Sequence, residues 1–209
     1  NVQLINVDNI KKNIQKRKKK YAVNFILNNN RYSIESLRGS FCIDIAIISF
    51  LFLKTFVKKI KLNVFFYENS IINSRGNEVP TYIKNKKVIF FDHSYNASPY
   101  SLNKQILIFN QRNIKQKVYI LGAMKELGAH SDFFHLQIIE LVTNLNLKNV
   151  IFIGKEFYKF KKRSNNFNFY KSYMPVIKYL NKEFDSIKNV FVMGSRSNQL
   201  DRLIKQYVK

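Results

Sequence analysis

Polar residues stand at three places where an open parallel sheet would bind a ligand. Residues 92–99 read Asp-His-Ser-Tyr-Asn-Ala-Ser-Pro, residues 122–128 read Gly-Ala-Met-Lys-Glu-Leu-Gly, and residues 194–197 read Gly-Ser-Arg-Ser. Each segment follows a short apolar run. Ligands of such sheets bind beyond the carboxyl ends of the strands, where loops and helix amino-termini offer free amide donors. If the apolar runs are parallel strands, the three segments meet at one edge of the sheet and form a binding site.

The elements that would position these segments follow from the pattern after residue 86. Short runs rich in Val, Ile and Phe alternate with longer amphipathic runs, which is typical of strand, crossover helix and strand. The runs lack strict alternation, as strands covered on both faces do. A Rossmann-like α/β domain with a mostly parallel sheet and flanking helices is therefore predicted. Its strands are expected at residues 87–91, 117–121, 149–153 and 189–193, and its helices at 99–110, 131–145, 175–184 and 197–208.

Three residues mark the starts of these helices. Pro99 and Pro175 suit first-turn positions, where a missing amide hydrogen costs nothing, and Ser131 can cap the second helix. Residues 155–173 are too polar and basic for an assignment.

The first 80 residues have a different pattern, which predicts part of another domain. A basic run at residues 16–20 is interpreted as a solvated surface. Alternating residues around Asn28-Asn29-Asn30 predict a hairpin, and an apolar run follows it. Asp44 and Lys54 interrupt that run, and the stretch between them is shorter than the ~20 residues that a membrane span needs. A buried helix without membrane insertion is therefore favoured. The predicted hairpin strands are 21–27 and 31–37, the helix covers 41–59, and a polar stretch at 68–80 divides the chain into domains 1–80 and 81–209.

Charge and composition leave a second class of function open. The formal net charge of +23 would suit nucleic acid or an anionic membrane. The excess is mostly lysine, is spread along the chain, and accompanies many Asn, Ile, Phe and Tyr residues, which is typical of an A+T-rich genome. No recognised nucleic-acid-binding motif accompanies the charge. We therefore expect no nucleic-acid partner, with a basic nucleic-acid-binding protein as an alternative.

The single cysteine, Cys42, and the three histidines complete neither a disulfide nor a metal site of the usual spacing. No export signal is visible in the first twenty residues, so a reducing cytoplasm is expected. Because the sequence opens with Asn1, we interpret it as a fragment.

The three polar segments resemble motifs of the carboxy-terminal domain of the Mur ligases that add D-alanyl-D-alanine to UDP-N-acetylmuramoyl-tripeptide. The family motifs are D-D-x-Y-N-A-N-P-x-S, G-D-M-x-E-L-G-x-x-S-x-x-x-H and K-G-S-R-S, and the segments stand in the same order. The resemblance extends backward more faintly. Arg75 stands at the place of a linker Gly-Arg pair, and Gly39 begins what resembles the G-x-H-N-x-x-N-A helix that ends the central ATPase domain.

The resemblance implies a monomeric bacterial enzyme of peptidoglycan synthesis. Its central domain would bind ATP and Mg²⁺, and its carboxy-terminal domain would close over the nucleotide. The precursor's carboxylate becomes an acyl phosphate, which the amine of D-alanyl-D-alanine attacks. Fixed cations must stabilise the anionic transition state, and closure must exclude water. This chain would be the carboxy-terminal domain with the tail of the central domain.

The resemblance also assigns residues. Ser195 and Arg196 would hold the dipeptide carboxylate, since a guanidinium makes paired hydrogen bonds to it. We expect no catalytic residue and no metal ligand in this chain, because the Gly-rich phosphate loop ending in Gly-Lys-Ser/Thr is missing. The chain alone should not turn over ATP. The residues expected to bind ATP are Arg75, Asp92, His93, Tyr95 and Asn96.

Structural roles are alternatives for several of the matched residues. Tyr95 could pack its ring at the base of the loop, and Asn96 could only shape the turn. Glu126 and Gly128 are expected to fix a loop conformation. A lone helical histidine such as His135 is expected to be packed inside the protein.

Departures from the motifs favour a third interpretation, a degenerate and non-catalytic remnant of the same fold. His93 replaces the second aspartate, which would accept hydrogen bonds from ribose. Ser98 replaces the second asparagine, Ala123 the aspartate of G-D-M, and Met193 the lysine before G-S-R-S. In the tail of the central domain, the residues in place of His, Asn and Asn are Phe41, Cys42 and Ile45.

Overall fold

The chain forms two compact units, Asn1–Ile71 and Ile72–Lys209. The computed structural model describes residues 12–17, 20–27, 30–36, 48, 51, 52, 56, 74–164, 166–183 and 187–208.

The first unit contains an antiparallel sheet of three strands in the order β1-β2-β3. β2 and β3 pair with Leu27 opposite Asn30, which confirms the predicted hairpin. β1 was not predicted, because its sequence Lys-Asn-Ile-Gln-Lys-Arg shows no apolar alternation. Lysine-rich strands suit the edge of a sheet, where they discourage pairing with other chains. The strands are Lys12–Arg17 (β1), Lys20–Leu27 (β2) and Asn30–Ser36 (β3).

The apolar helix predicted over 41–59 lies mostly outside the described residues. The four residues described there, Ile48, Leu51, Phe52 and Phe56, are helical. The rings of Phe52 and Phe56 are 5.1 Å apart, as expected for residues one helical turn apart. Among the residues that the structure describes, no helix is long and apolar enough to cross a membrane.

The second unit contains a six-stranded sheet in the order β4-β5-β9-β6-β7-β8. β4 runs antiparallel to β5, and every other pair is parallel. The predicted mostly parallel α/β fold is confirmed, and so are its four predicted strands. The six strands are Asn77–Ile83 (β4), Lys86–His93 (β5), Lys117–Gly122 (β6), Val150–Ile153 (β7), Asn168–Tyr170 (β8) and Asn189–Met193 (β9).

The two edge strands, β4 and β8, were not predicted. β4 lies partly in the stretch 68–80 that we expected to be a linker, and the expected domain boundary after Pro80 falls within it. Its pairing with β5 places residues 77–80 in the second unit. Proline interrupts its strand pattern, and proline is tolerated at a sheet edge because the outer ladder is not paired. β8 has three residues and lies in the polar region that was left unassigned.

In the described part of this unit, five α-helices flank the sheet: Pro99–Gln111 (α1), Ser131–Asn144 (α2), Lys155–Tyr158 (α3), Met174–Glu183 (α4) and Leu200–Lys205 (α5). The helices predicted at 99–110, 131–145 and 175–184 are confirmed, and Pro99 occupies the first turn of α1. Ser131 is not the cap of α2, because a 3-10 turn at Gly128–His130 leads into the helix and His130 precedes it. The last helix begins three residues later than predicted, at Leu200, because Gln199 adopts the left-handed region with φ 54°.

Side chains of the parallel strands are buried on both faces of the sheet. On β6, Tyr119 and Leu121 belong to one apolar cluster and Val118 and Ile120 to the other. α1 and α2 contribute to the first cluster, and α4 and α5 to the second. Because both faces are covered, the strand sequences are continuously apolar instead of alternating.

Candidate ligand-binding site at the strand ends

The three polar segments meet at one edge of the sheet. β9 lies between β5 and β6, and Met193 is opposite both His93 and Leu121. The three strands are parallel, so their carboxyl ends point the same way. The predicted convergence of the three strand exits is confirmed.

Glycines allow these exits to lie against one another. A Cβ atom on Gly194 would come within 2.6 Å of the Cα atom of Gly122, a backbone contact that no side-chain motion could relieve. Gly154, at the exit of β7, has φ 114°, and its Cβ would be 2.6 Å from the Cβ of Ala123. The edge is therefore closely packed at backbone level.

Two arginines from different segments flank one exposed aromatic ring. The guanidinium carbon of Arg75 lies 4.3 Å from the ring centroid of Tyr95, and that of Arg196 lies 5.9 Å from it. The amide of Tyr95 donates to the carbonyl of Ser74 at 3.2 Å, which ties the two loops together. Tyr95 is 37% exposed and both arginines are exposed, so this group is open to a ligand. Guanidinium groups offer paired donors that suit phosphate or carboxylate.

The remaining residues of the first exit act mainly on their own loop. Asp92 is buried, and its carboxylate accepts from the amide of Ser94 at 2.9 Å. The exposed Asn96 accepts from the amide of Ala97 at 2.9 Å through its side-chain oxygen. His93 is half-buried, with its ring 5.4 Å from that of Phe191. A direct contact of these three residues with nucleotide stays a prediction.

At the exit of β9, one of the two predicted dipeptide-binding residues is buried and the other is exposed. Ser195 is 6% exposed, and its amide donates to the carbonyl of Ala123 at 3.2 Å. Its hydroxyl is 3.4 Å from that of Ser197. Arg196 begins a 3-10 turn, Arg196–Asn198, and is exposed.

His135 fixes the loop that follows β6. It is fully buried, its Nε2 accepts from the amide of Met124 at 3.0 Å, and its Nδ1 lies 2.6 Å from the carbonyl of Ser131. These partners assign the neutral tautomer with the hydrogen on Nδ1. Burial lowers the pKa of His135, and the ring packs at 4.5 Å against that of Phe157. The expected packed role is confirmed.

An ion pair at the exits of β6 and β7 was missed. Lys125 donates to the carboxylate of Glu156, and the pair is partly exposed. Burial raises the pKa of Glu156, but the hydrogen bonds from Lys125 and from its own backbone outweigh burial and lower the pKa overall. The two residues are 31 positions apart, and the lysine-rich composition conceals which lysine is paired. The nearby Glu126 is exposed with φ 63°, and Gly128 has φ 51°, so both positions shape the turn.

Asn198, which no motif singled out, links two of the segments, those after β6 and β9. Its side-chain amide donates to the carbonyl of Ala123 at 2.8 Å and to that of Ser195 at 2.9 Å. Asparagine is frequent in this sequence, so its type gave no signal. The one feature of the sequence that could have pointed to Asn198 is its position directly after the Gly-Ser-Arg-Ser segment.

The departures from the motifs have different structural consequences. Ser98 caps α1 by accepting from the amide of Ser101, and serine and asparagine are comparable caps, so this change preserves the helix start. Ala123 is fully buried and Met193 is 4% exposed, so neither presents a polar group at the edge. Phe41, Cys42 and Ile45 lie outside the described residues. Within the described part of the chain, no three His, Cys, Asp or Glu residues cluster as metal ligands would.

Two curated proteins are similar to this chain, whereas no family model matches it. The UDP-N-acetylmuramoyl-tripeptide–D-alanyl-D-alanine ligase of Rickettsia prowazekii (strain Madrid E) is 26% identical over 144 residues, which are 68% of this chain and 32% of that protein. The ligase of the same name from Buchnera aphidicola (subsp. Acyrthosiphon pisum, strain APS) is 25% identical over 159 residues, 75% of this chain and 34% of that protein. The chain therefore spans about a third of the length of these relatives.

Solved structures show the same fold. A MurF ligase from Thermotoga maritima in complex with ADP matches with a TM-score of 0.70 and 19% identity, over 94% of this chain and 44% of that one. MurF from Acinetobacter baumannii matches with a TM-score of 0.72 and 17% identity over the same shares. The resemblance carried by the motif segments is confirmed: the chain is similar in sequence to the Mur ligases that add D-alanyl-D-alanine, over most of its own length, and has the fold of their solved structures.

Proposed function

We propose that this chain is the carboxy-terminal part of an ATP-dependent ligase that joins D-alanyl-D-alanine to UDP-N-acetylmuramoyl-tripeptide in peptidoglycan precursor synthesis. The observation that carries the proposal is the meeting of Arg75, Tyr95 and Arg196 at one edge of the sheet. These residues come from three separate segments, two of which match the motifs of such ligases. The proposal includes a monomeric protein in the bacterial cytoplasm that neither enters a membrane nor binds nucleic acid.

The donor groups at the edge fit a nucleotide. Two exposed guanidinium groups and one aromatic face suit phosphate oxygens and a flat base or sugar. When bound, ATP supplies the phosphoryl group that turns the tripeptide carboxylate into an acyl phosphate. Arg75 would bind the phosphates or ribose from the linker, and Tyr95 and Asn96 would lie beside the ribose. Mg²⁺ would be held by the part of the protein that lies outside this chain.

Asp92 and His93 contribute differently from the two aspartates of the motif. The carboxylate of Asp92 already accepts from the amide of Ser94, so it supports nucleotide binding through the shape of the loop. His93 is a weaker acceptor for ribose hydroxyls than a carboxylate when its imidazole is neutral. We therefore expect weaker nucleotide binding than a chain with both aspartates would show.

Arg196 and Ser195 would receive the incoming dipeptide. The exposed guanidinium of Arg196 can make two parallel hydrogen bonds to a carboxylate. Closure of the domain would then exclude water while the dipeptide amine attacks the acyl phosphate.

The test is a reaction of the full-length protein with ATP, Mg²⁺, UDP-muramoyl-tripeptide and D-alanyl-D-alanine. Phosphate release and formation of the pentapeptide product are expected, and both should depend on the dipeptide. Arg196→Ala should lower kcat/KM for the dipeptide by about 10- to 100-fold, because a charge-assisted contact contributes about 1.5–3 kcal/mol. Lys205→Ala, at an exposed i,i+4 ion pair on α5, serves as the control. Absence of both products from the wild-type reaction would count against the proposal.

A degenerate, non-catalytic remnant is the second candidate function, and the substitutions at His93 and Ala123 favour it. Ala123 is fully buried, so a restored aspartate there would test folding rather than nucleotide binding. His93 is half-buried, so His93→Asp is the informative restoration. In a decayed site, His93→Asp should raise ATP affinity in an otherwise inactive protein. Unchanged affinity would argue against decay at this position.

A further inference from the structure

One side chain connects the exits of β6 and β9. The side-chain nitrogen of Asn198 donates to the carbonyls of Ala123 and Ser195 at 2.8 and 2.9 Å. The carbonyl of Ser195 also accepts from the backbone amide of Asn198 at 3.0 Å. The turn that carries Arg196 is therefore closed by its own backbone. It is tied to the exit of β6 by the backbone amide of Ser195 and by the side-chain amide of Asn198, which both donate to the carbonyl of Ala123.

The glycines at the strand ends make room for this amide group. A Cβ atom on Gly122 would lie 3.1 Å from the side-chain nitrogen of Asn198, and a Cβ on Gly154 would lie 2.8 Å from its side-chain oxygen. Ala123, which stands where the motif has an aspartate, presents no polar side chain here. The side-chain hydrogen bonds between the exits of β6 and β9 come from Asn198 instead.

The turn that follows β9 needs such support. Gln199 has φ 54°, in the left-handed region, which costs a non-glycine residue about 1–2 kcal/mol. The 3-10 turn has only three residues and no side-chain cap at Ser195. Without the two hydrogen bonds from Asn198, Arg196 is held by backbone hydrogen bonds of the turn and by its contact with the ring of Tyr95.

We propose that Asn198 is a positioning residue that holds the 194–197 loop, and through it Arg196, in the conformation that receives the dipeptide carboxylate. This inference rests on the proposed function. A loop that is correctly placed for only a fraction of the time binds its ligand more weakly by that fraction. Loss of the two donors should therefore raise the KM for D-alanyl-D-alanine, with little effect on the KM for ATP or on kcat at saturating dipeptide.

The experiment compares Asn198→Ala and Asn198→Asp in the full-length protein by steady-state kinetics with each substrate varied in turn. Asn198→Ala should raise the KM for the dipeptide about tenfold, which corresponds to about 1.4 kcal/mol. Asn198→Asp should raise it further, because its carboxylate would face two carbonyl oxygens without a donor. If Asn198 only filled space, the isosteric aspartate would be better tolerated than alanine, and that order would overturn the proposal.

The matched control is Asn189→Ala. Asn189 stands at the opposite end of β9, and its side-chain nitrogen also donates to a backbone carbonyl, that of Lys115, at 2.8 Å. Its loss should lower thermal stability without changing the KM for the dipeptide. If Asn198→Ala raised the KM values for ATP, UDP-muramoyl-tripeptide and D-alanyl-D-alanine equally, the positioning role would be overturned.

Hydrogen exchange separates this inference from the proposed function. In Asn198→Ala, the backbone amides of Asn198 and Gln199 should exchange faster, and the amides of β6 should be unchanged. If the wild-type protein forms no product, the proposed function fails, while exchange still decides the positioning role. Unchanged exchange at both amides would overturn that role.

Discussion

The exits of β5 and β6 both carry motif residues, yet they use their polar groups in opposite ways. After β5, Tyr95 is 37% exposed and is flanked by the guanidinium groups of Arg75 and Arg196. After β6, the fully buried His135 accepts from the amide of Met124 in the loop and contacts the carbonyl of Ser131 at the start of its own helix. The first exit exposes its groups, as a ligand-binding loop would, whereas the second uses its groups to hold the loop.

The difference shows that a matched motif mixes two kinds of residue. Loop-holding residues change the free energy of unfolding when they are removed, because buried donors and acceptors lose their partners. Ligand-presenting residues change binding and leave folding nearly unaffected, because their groups are already solvated. Measurements of the free energy of unfolding can therefore show whether each motif residue is loop-holding or ligand-presenting.

The largest effect on stability is expected for His135→Ala. It removes a buried ring next to Phe157 and leaves the buried amide of Met124 without its acceptor. The expected loss in the free energy of unfolding is about 3–5 kcal/mol, measured by urea denaturation. His130→Ala, at an exposed histidine five residues earlier, is the control and should change stability little. A loss below about 1 kcal/mol for His135→Ala would remove the distinction between the two exits.

Ala123→Asp, which restores the motif residue, should also destabilise the protein. Ala123 is fully buried, and both its side chain and the carboxylate of Glu156 lie beside Gly154, so the new carboxylate would be desolvated in the neighbourhood of a like charge. A loss of about 2–4 kcal/mol in the free energy of unfolding is expected. Ala129→Asp, at an exposed position in the same loop, should be nearly neutral. Full stability of Ala123→Asp would show that the second exit has room for a ligand-facing group.

The central strands could be predicted from sequence because they are buried on both faces. The run Lys117–Gly122 is continuously apolar after its first residue, and a parallel strand covered by helices requires this. The edge strand Asn77–Ile83 could not be predicted in the same way. It is paired on one side only, it contains Pro80, and most of its residues are exposed or half-buried, so its composition resembles that of a linker.

The sequence was enough to predict which segments meet at the site. It was not enough to predict which side chains contact one another there. Parallel strand order fixes the meeting of the exits, and the motifs named Arg75, Tyr95 and Arg196. Asn198 and the Lys125–Glu156 pair depend on side-chain contacts between distant segments. No local pattern encodes such contacts, because each partner alone is an ordinary surface residue type.

Stability should fall as the pH is lowered below the ordinary histidine value, and His135 should cause part of that fall. Its pKa is lowered in the folded state by burial, against smaller raising effects from Ser131, Glu156 and Asp132. The unfolded chain therefore takes up the proton first, so the contribution is present above pH ~6.5 and is lost as the pH falls through that value. The slope of unfolding free energy between pH 7 and pH 5.5 should be smaller in His135→Gln than in wild type. Equal slopes in His135→Gln and wild type would contradict the assignment.

The smallest effect on stability is expected for Tyr95→Ala, although its effect on ligand binding should be large. The ring is partly exposed, and an exposed cation–π contact contributes about 0.5–1 kcal/mol. The free energy of unfolding should therefore fall by less than about 1 kcal/mol, whereas Tyr119→Ala, at a tyrosine 2% exposed in the core, should cost about 3–5 kcal/mol. Calorimetric titration with ADP should show weaker binding for Tyr95→Ala at nearly wild-type stability. If Tyr95→Ala were as unstable as Tyr119→Ala, the ring would belong to the loop-holding residues, and the exits of β5 and β6 would not differ in kind.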